Sequence, residues 1–226
     1  MPDDVSARSP AVTVHCLIAM TGLVFLYEVW LGSSGSASDA QGRFIAAWGL
    51  VPREFLREIT SPGATSQVVW LTPLTAMFIH GGPIHLLGNW LFLWMFGGPI
   101  EARLGHVRFA VFYLICGLAA ASIHVASDSS SYLPSVGASG AISGVLGAYV
   151  VCHPRHRLRL LWLRVRVPAF SVGLVWIVIQ VISGLYDRAA QEGGVAWTAH
   201  VGGFAVGIAL IRSMPERQPG RSALRS

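Results

Sequence analysis

The sequence predicts an all-α membrane protein, a bundle of six transmembrane helices, and three observations support this prediction. Hydrophobic residues make up 53% of the 226-residue chain and charged residues only 12%, about half the share of a soluble domain. Six apolar runs approach the roughly 20 residues that a helix needs to cross a bilayer. All 16 basic residues are arginines that cluster between these runs, so the net charge of +5 indicates a topology signal and not a nucleic-acid partner.

The apolar runs define the elements in order. We predict transmembrane helices over residues 11–31, 83–103, 109–126, 138–152, 169–185 and 195–211, so that one membrane domain covers residues 11–211. Residues 1–10 precede it as a cytoplasmic segment, and the Arg- and Pro-rich residues 212–226 follow it as a disordered cytoplasmic tail. The connection over residues 32–70 begins Gly- and Ser-rich and then becomes amphipathic, so we place it in the extracytoplasmic interface.

Arginine counts orient the bundle. With both termini in the cytoplasm, twelve arginines fall on the inner side and four on the outer side, in agreement with the positive-inside rule. The chain is therefore expected to be a multi-pass integral protein of the bacterial inner (plasma) membrane. Its three scattered cysteines argue against a disulfide framework or a zinc site. In this orientation runs two, four and six cross in the same direction, and their N-terminal ends share the outer leaflet.

A serine and a histidine lie at the outer ends of runs four and six. Ser139 begins a run of only ~22 Å of helix, so it starts below the membrane surface. His200 is an ionisable side chain in an apolar run, where such groups usually face a cavity or a partner. Each run carries a G-x-x-x-G pair: Gly140 with Gly144, and Gly203 with Gly207. Parallel packing of these pairs would place Ser139 and His200 at depths that differ by ~3 Å, which favours a nucleophile and its general base over two unrelated packing residues.

The second run supplies polar groups at the same depth. His85 and Asn89 share one helix face, where they could donate hydrogen bonds to an oxyanion beside the Ser139 backbone N–H. His80, in the turn before this run, could support the helix face that carries His85 and Asn89. The alternatives are interhelical hydrogen bonds by His85 and Asn89, and a metal held by His80, His85 and His200. Because no carboxylate or cysteine joins these histidines in that leaflet, we favour acyl transfer and expect neither metal nor cofactor.

Together these residues resemble the rhomboid family of intramembrane serine proteases over about residues 70–211. The motifs are His80, His85 and Asn89 in H-x-x-x-x-H-x-x-x-N; Glu101 and Arg103 in E-x-R; Gly137 to Gly140 in G-x-S-G; and Ala199 and His200 followed by Gly203 and Gly207. The resemblance implies a six-helix core that cleaves transmembrane segments of other proteins near the outer face. It also implies that Ser139 is the nucleophile and His200 the base, with His85, Asn89 and the Ser139 backbone lining the oxyanion hole.

One position departs from the family pattern. Many bacterial members have an aromatic residue four positions after the nucleophile, packed on the catalytic imidazole, whereas this chain has Ser143. We therefore expect Trp197 or a water to orient His200. The hypothesis is a serine endopeptidase whose partners are transmembrane protein substrates and membrane lipids, with the oligomeric state left open. Two rivals remain: an inactive relative that binds transmembrane clients, and a small transporter, for which inspection finds no internal repeat.

Overall fold

The computed structural model describes residues 10–33, 40–63, 69–160, 165–190 and 197–217, which are mostly helical. Within these ranges the α-helices are α1 Val12–Ser33, α2 Ala40–Trp48, α3 Pro52–Thr60, α4 Thr72–Thr75, α5 Pro83–Leu104, α6 His106–Ser127, α7 Ser139–Cys152, α8 Ala169–Ala190 and α9 Trp197–Ser213. Short 3-10 turns, Val69–Leu71 and Ala76–Phe78, flank α4. The predictions made for residues 1–9, 34–39, 64–68, 161–164, 191–196 and 218–226 lie outside the described residues.

Six of these helices coincide with the six apolar runs. The ends of α1, α5, α6, α7, α8 and α9 differ from the predicted ends by at most five residues. Among the described helices, three are both long and apolar enough to cross a membrane: Val12–Ser33, His106–Ser127 and the segment Ala169–Tyr186. The fourth run forms a helix of only 14 residues, or ~21 Å, and that helix begins at Ser139.

The short helix α7 lies at the centre of the fold. Every residue from 141 to 149 is buried, and α7 packs against α5, α6, α8 and α9. A helix that is apolar on all faces is expected to be enclosed in this way. Glycines at positions 140, 144 and 147 let α6 and α9 come close to its backbone. The first turn of α7, which carries Ser139, therefore belongs to a helix that four other helices enclose.

The segment predicted to be interfacial contains two short helices, α2 and α3, joined at residues 49–51. Leu50 in this junction forms a β-bridge with Ser135, with N–H to oxygen distances of 3.0 and 2.8 Å. Phe55 and Leu56 of α3 pack on the buried cluster that contains Leu50. The segment thus contacts the loop that leads directly into α7, which restrains the approach to Ser139.

The charged residues of the E-x-R motif have separate structural roles. The buried Glu101 carboxylate accepts the backbone N–H of Thr13 at 2.7 Å and that of Val14 at 2.9 Å. It therefore satisfies N–H groups in the first turn of α1, which have no acceptor within their own helix. Arg103 forms an ion pair with Glu216, which follows α9. The motif joins the C-terminal end of α5 to the start of α1 and to the segment that follows α9.

A two-stranded antiparallel hairpin between α7 and α8 corrects the all-α prediction. Strand β1 Arg157–Leu160 pairs with β2 Val165–Pro168, so that Arg157 lies opposite Pro168 and Leu160 opposite Val165. Arginines alternate with leucine and valine here, and this period of two is typical of a strand. The same arginines count toward the topology signal, which is why the sequence alone favoured a charged connection without strands.

Candidate active site

Two glycine pairs hold α7 and α9 together in parallel. A Cβ atom on Gly203 would overlap the carbonyl oxygen of Gly140, and a Cβ on Gly207 would overlap that of Gly144. The contact advances by four residues on both helices, so the two helices run in the same direction. Only glycine allows this distance between the backbones, and the glycine spacing therefore sets the register of α7 against α9.

This register brings Ser139 and His200 into hydrogen-bonding contact. Ser139 Oγ lies 2.7 Å from His200 Nε2, although 61 positions separate the residues in the chain. Ser139 is half-buried, and His200 is only 9% exposed. A hydroxyl beside an unprotonated imidazole nitrogen can lose its proton to that nitrogen, so the pair has the arrangement of a nucleophile and a general base.

The other ring nitrogen of His200 is held by α8. Nδ1 lies 2.6 Å from Oε1 of Gln180, and the Trp176 ring centroid lies 5.8 Å from that of the imidazole. Neither Gln180 nor Trp176 was named in the sequence-based expectation, which was that Trp197 or a water orients the ring. Trp197 packs along α8 beside Gly184. The imidazole is therefore held at both nitrogens, by α7 on one side and by α8 on the other.

Ser143 occupies the position where the resemblance calls for an aromatic residue. Its side chain is 1% exposed, and its hydroxyl donates to the Ser139 carbonyl oxygen at 2.6 Å, one turn earlier. This bond within α7 satisfies the hydroxyl and turns it away from the imidazole. The small side chain leaves the space beside His200 to Trp176 and Gln180.

Gly137 and His85 form a wall next to Ser139. Gly137 has φ of +120°, a conformation that favours glycine, and its N–H donates to the Ala76 carbonyl at 2.8 Å. A Cβ at this position would lie 2.6 Å from Cε1 of His85. Glycine is therefore required for the chain to turn into α7 while the His85 ring stays beside it. The first N–H groups of α7, including that of Ser139, have no acceptor within their own helix.

Asn89 and His80 lie behind this wall. Asn89 Nδ2 donates to Nε2 of His80 at 2.9 Å, and both side chains are buried. Burial lowers the pKa of His80 to about 4, with a smaller effect of the same sign from His85, so His80 is neutral and can accept this bond. The rings of His80 and His85 meet edge to face at 5.2 Å. The His80 backbone N–H donates to Oε1 of Glu28 in α1 at 3.1 Å, which anchors the turn.

A cavity of about 400 Å³ lies over the Ser–His pair. Ser139, His200 and His85 line it, and so do Asp128 and Leu133, two exposed residues of the loop after α6. Its wall thus extends from the Ser–His pair to side chains exposed at the surface. A second cavity, of about 200 Å³, lies between α5 and α8 and also includes Ser139, His85 and His200.

Four residues near the site were absent from the sequence prediction: Glu28, His124, Trp176 and Gln180. Glu28 and Gln180 carried a usable signal, because a polar side chain inside an apolar run is costly and usually has a partner. His124 lines the larger cavity from the last turn of α6. In the sequence, Trp176 resembles any aromatic residue of a membrane helix, so no local signal distinguished it.

The fold and the site together define a helical membrane protein with a serine and a histidine in contact at the start of its central buried helix. A comparison with protein families agrees with this class. The family model for the Rhomboid domain matches residues 67–216, well over half of the chain. The chain therefore belongs to the rhomboid family.

Relatives from several organisms show the same similarity. "Rhomboid protease GluP" of Bacillus subtilis (strain 168) is 34% identical over 143 residues, which cover 63% of this chain and 26% of that protein. "RHOMBOID-like protein 5" of Arabidopsis thaliana is 30% identical over 139 residues, 61% of this chain and 41% of that protein. "Presenilin-associated rhomboid-like protein, mitochondrial" of Mus musculus is 31% identical over 150 residues, which cover 63% of this chain and 40% of that protein. The matched region spans less than half of each of these relatives.

Proposed function

We propose that this chain is an intramembrane serine endopeptidase, which hydrolyses a peptide bond in or next to a transmembrane segment of a membrane-anchored protein. One observation carries the proposal: Ser139 Oγ lies 2.7 Å from His200 Nε2, on two helices locked in parallel. Membership of the rhomboid family and similarity to a rhomboid protease support it. Ser139 is the proposed nucleophile and His200 the proposed general base.

The proposed reaction has two halves. As Ser139 Oγ attacks the scissile carbonyl carbon, its proton passes to Nε2 of His200. The tetrahedral intermediate then collapses: the imidazolium gives that proton to the leaving amine nitrogen, the C–N bond breaks, and an ester on Ser139 remains. A water from the cavity attacks the ester, loses a proton to His200, and the proton returns to Ser139 Oγ as the acid leaves. The scheme uses no metal and no cofactor.

The oxyanion would be stabilised by donors gathered beside Gly137. These are the His85 side chain, the Asn89 amide and the backbone N–H of Ser139. Asn89 uses one amide hydrogen on His80 and keeps the second for the oxyanion. His80 is thus proposed to support the site by fixing the orientation of the amide.

The proposed topology places six helices, α1 and α5 to α9, across a bacterial inner (plasma) membrane, within residues 11–211. Both termini then lie in the cytoplasm, which the twelve-to-four arginine distribution supports. The short helix α7 starts below the outer surface, and the 400 Å³ cavity is the proposed path for water to Ser139. Helices α2 and α3 form the proposed extracytoplasmic interfacial loop, in contact with lipid headgroups.

The proposed substrate is a transmembrane segment that unwinds easily. A peptide in an α-helix has its carbonyl groups engaged in hydrogen bonds and is poorly open to attack, so helix-weak segments with small residues are the expected substrates. The proposed gate is α8 with the loop that follows it. Exposed apolar side chains such as Phe170, Leu174 and Ile182 on α8 are suited to contact lipid or a substrate helix.

Labelling with a fluorophosphonate probe tests the proposal directly, because the probe reacts with a serine that a base activates. We expect the purified protein in detergent to be labelled and His200→Ala to be labelled at least about 10²-fold more slowly, since Nε2 no longer takes the proton. His15→Ala, on the exposed side of α1, is the matched control and should label like the parent. Equal labelling of His200→Ala and the parent would contradict the proposed base. An unlabelled parent that still binds transmembrane segments would favour the client-binding alternative.

Asn89→Ala is expected to cause a partial loss, about 10²-fold or less in kcat, because Asn89 is one oxyanion donor among several. The measurement is steady-state cleavage of a synthetic transmembrane substrate, with kcat and KM determined separately. Loss of a group that acts in the transition state lowers kcat and leaves KM nearly unchanged. A parent-like kcat would remove Asn89 from the oxyanion hole and leave it as the hydrogen-bond partner of His80.

A further inference from the structure

The contact between Gln180 and His200 gives α8 a part in the chemistry. We propose that Gln180 is a positioning residue for the reaction: its amide oxygen fixes the tautomer of His200 and stabilises the imidazolium that forms when Ser139 is deprotonated. This inference rests on the proposed peptidase function and deepens it. The site would then be an arrangement of three residues, Ser139, His200 and Gln180, in which the third group is a neutral amide that accepts from the imidazole.

The geometry determines which ring nitrogen carries the proton. Oε1 of Gln180 can only accept, and it lies 2.6 Å from Nδ1 of His200, so Nδ1 is the donor. In the neutral ring Nε2 is then the acceptor, and it lies 2.7 Å from Ser139 Oγ. The opposite tautomer would set two lone pairs against each other at Nδ1 and leave Nε2 unable to take a proton. With its amide oxygen toward Nδ1, Gln180 favours the tautomer that a general base requires.

The same contact stabilises the charged ring. After proton transfer, Nδ1–H shares the positive charge, and the Gln180 oxygen faces it with a partial negative charge. Because His200 is only 9% exposed, little water competes for this hydrogen. A carboxylate in this position would place an ionised group inside an apolar helix bundle, which is costly, whereas an amide supplies the acceptor without a net charge.

Aromatic packing holds Gln180 in place. Gln180 and Trp176 are four residues apart and share one face of α8. Trp176 stacks on Phe204 of α9 with ring centroids 5.9 Å apart, and lies 5.8 Å from the His200 ring. This stack attaches the Gln180 region of α8 to α9, the helix that carries His200. The amide and the imidazole are therefore positioned by the same pair of helices.

The small residue at position 143 makes room for this arrangement. Ser143, Trp176, Gln180 and His200 all line the 200 Å³ cavity between α5 and α8. The Ser143 hydroxyl donates to its own helix, so it does not compete for Nδ1. An aromatic ring at this position would fill the space through which the α8 side chains reach the imidazole. Ser143 and Gln180 are thus complementary, because the first leaves the space that the second uses.

The groups that surround His200 allow the inference to be tested through the pH dependence of the reaction. The titratable groups that face it are His85 of α5 and His124 of α6. From α7 the ring faces the Ser139 hydroxyl, and from α8 it faces the neutral side chains of Trp176 and Gln180. Within the described part of the chain, the side-chain hydrogen bonds of His200 go to Gln180 and Ser139, neither of which is a carboxylate. A carboxylate introduced at position 180 would therefore dominate the local field.

Two substitutions with opposite expected effects test the proposal. The assay is the pH dependence of kcat for cleavage of a synthetic transmembrane substrate by the full chain in detergent. Gln180→Leu removes the acceptor, so kcat should fall about 10- to 100-fold with KM nearly unchanged, and the acidic limb should move to lower pH. Gln180→Glu keeps the acceptor and adds negative charge, so the acidic limb should move to higher pH by about one unit or more. A purely structural role for Gln180 would not produce opposite shifts.

Controls separate this inference from the peptidase proposal. Gln41→Leu makes the same chemical change in α2, away from the site, and should behave like the parent. Thermal unfolding of each variant distinguishes a loss of catalysis from a loss of folding. If Gln180→Leu fails to fold, the shift of the acidic limb in Gln180→Glu tests the role of Gln180 by itself. Folded variants whose pH profiles match the parent, or shift in the same direction, overturn the role of Gln180. Unchanged cleavage by Ser139→Ala would instead overturn the peptidase function, whatever the Gln180 variants do.

Discussion

Replacing Ser139 with alanine is expected to lower kcat for cleavage of a synthetic transmembrane substrate by about 10⁴-fold or more. The substitution removes a single oxygen, the atom that lies 2.7 Å from Nε2 of His200. The nearest hydroxyl along α7, that of Ser143, donates to the Ser139 carbonyl and is not directed at the imidazole. The measurement is appearance of the cleaved product, with purified protein in detergent, over the full time course.

Ser122→Ala is the matched control for this prediction. Ser122 is exposed on α6 and donates its hydroxyl to the Leu118 carbonyl at 2.9 Å, so the same atom is lost at a position that lines neither cavity. Its activity should equal that of the parent. Cleavage by Ser139→Ala at the parent rate would show that the nucleophile lies elsewhere. If the parent and Ser122→Ala cleave the substrate and Ser139→Ala does not, a contaminating protease is excluded.

Gly207→Ala is expected to have the largest effect on the fold and to reduce activity through it. The added Cβ would overlap the carbonyl oxygen of Gly144, which belongs to the α7 backbone and cannot rotate away. The helices must separate, and overpacking of this kind costs about 3 kcal/mol. Because a displacement of about 1 Å at a reacting centre can cost about 10²-fold, cleavage should fall by that factor or more. Thermal unfolding and cleavage are measured on the same preparation.

Gly98→Ala provides the comparison for this substitution. A Cβ on Gly98 would meet only the Ala11 Cβ, at 3.7 Å, which is ordinary van der Waals contact. Alanine also favours a helix over glycine by about 0.5–1 kcal/mol, so this variant should be as stable as the parent or slightly more stable. If Gly207→Ala unfolds and cleaves like Gly98→Ala, then α7 and α9 do not pack backbone to backbone at this point.

The contact between Ser139 and His200 could be predicted from residue spacings, which the sequence supplies. Glycine pairs with a spacing of four residues mark the faces that can approach most closely, and the helical rise converts positions along the chain into depths. Each residue lies a fixed number of positions from its own glycine pair, so their relative depth needs no knowledge of the remaining helices. The structure brings the two side chains to 2.7 Å.

Gln180 and Trp176 could not be placed by the same arithmetic. Their contact with His200 depends on how α8 is rotated about its own axis and on how close it lies to α9, and no glycine pair in α8 defines that face. The strands β1 and β2 were missed for a different reason, because alternating arginines are equally compatible with a charged loop and with a hairpin. In both cases the sequence allowed several arrangements of similar local energy.

The amino-acid sequence by itself determined the apolar runs, the glycine register between α7 and α9, and the serine and histidine that the register brings together. Those features follow from the period and the rise of a helix, which are local properties of the chain. Only the tertiary structure decided which neighbours complete the site: Gln180 at Nδ1 of His200, and His80 behind Asn89. Such contacts depend on the lateral order and rotation of separate helices, which long-range packing sets and no single segment encodes.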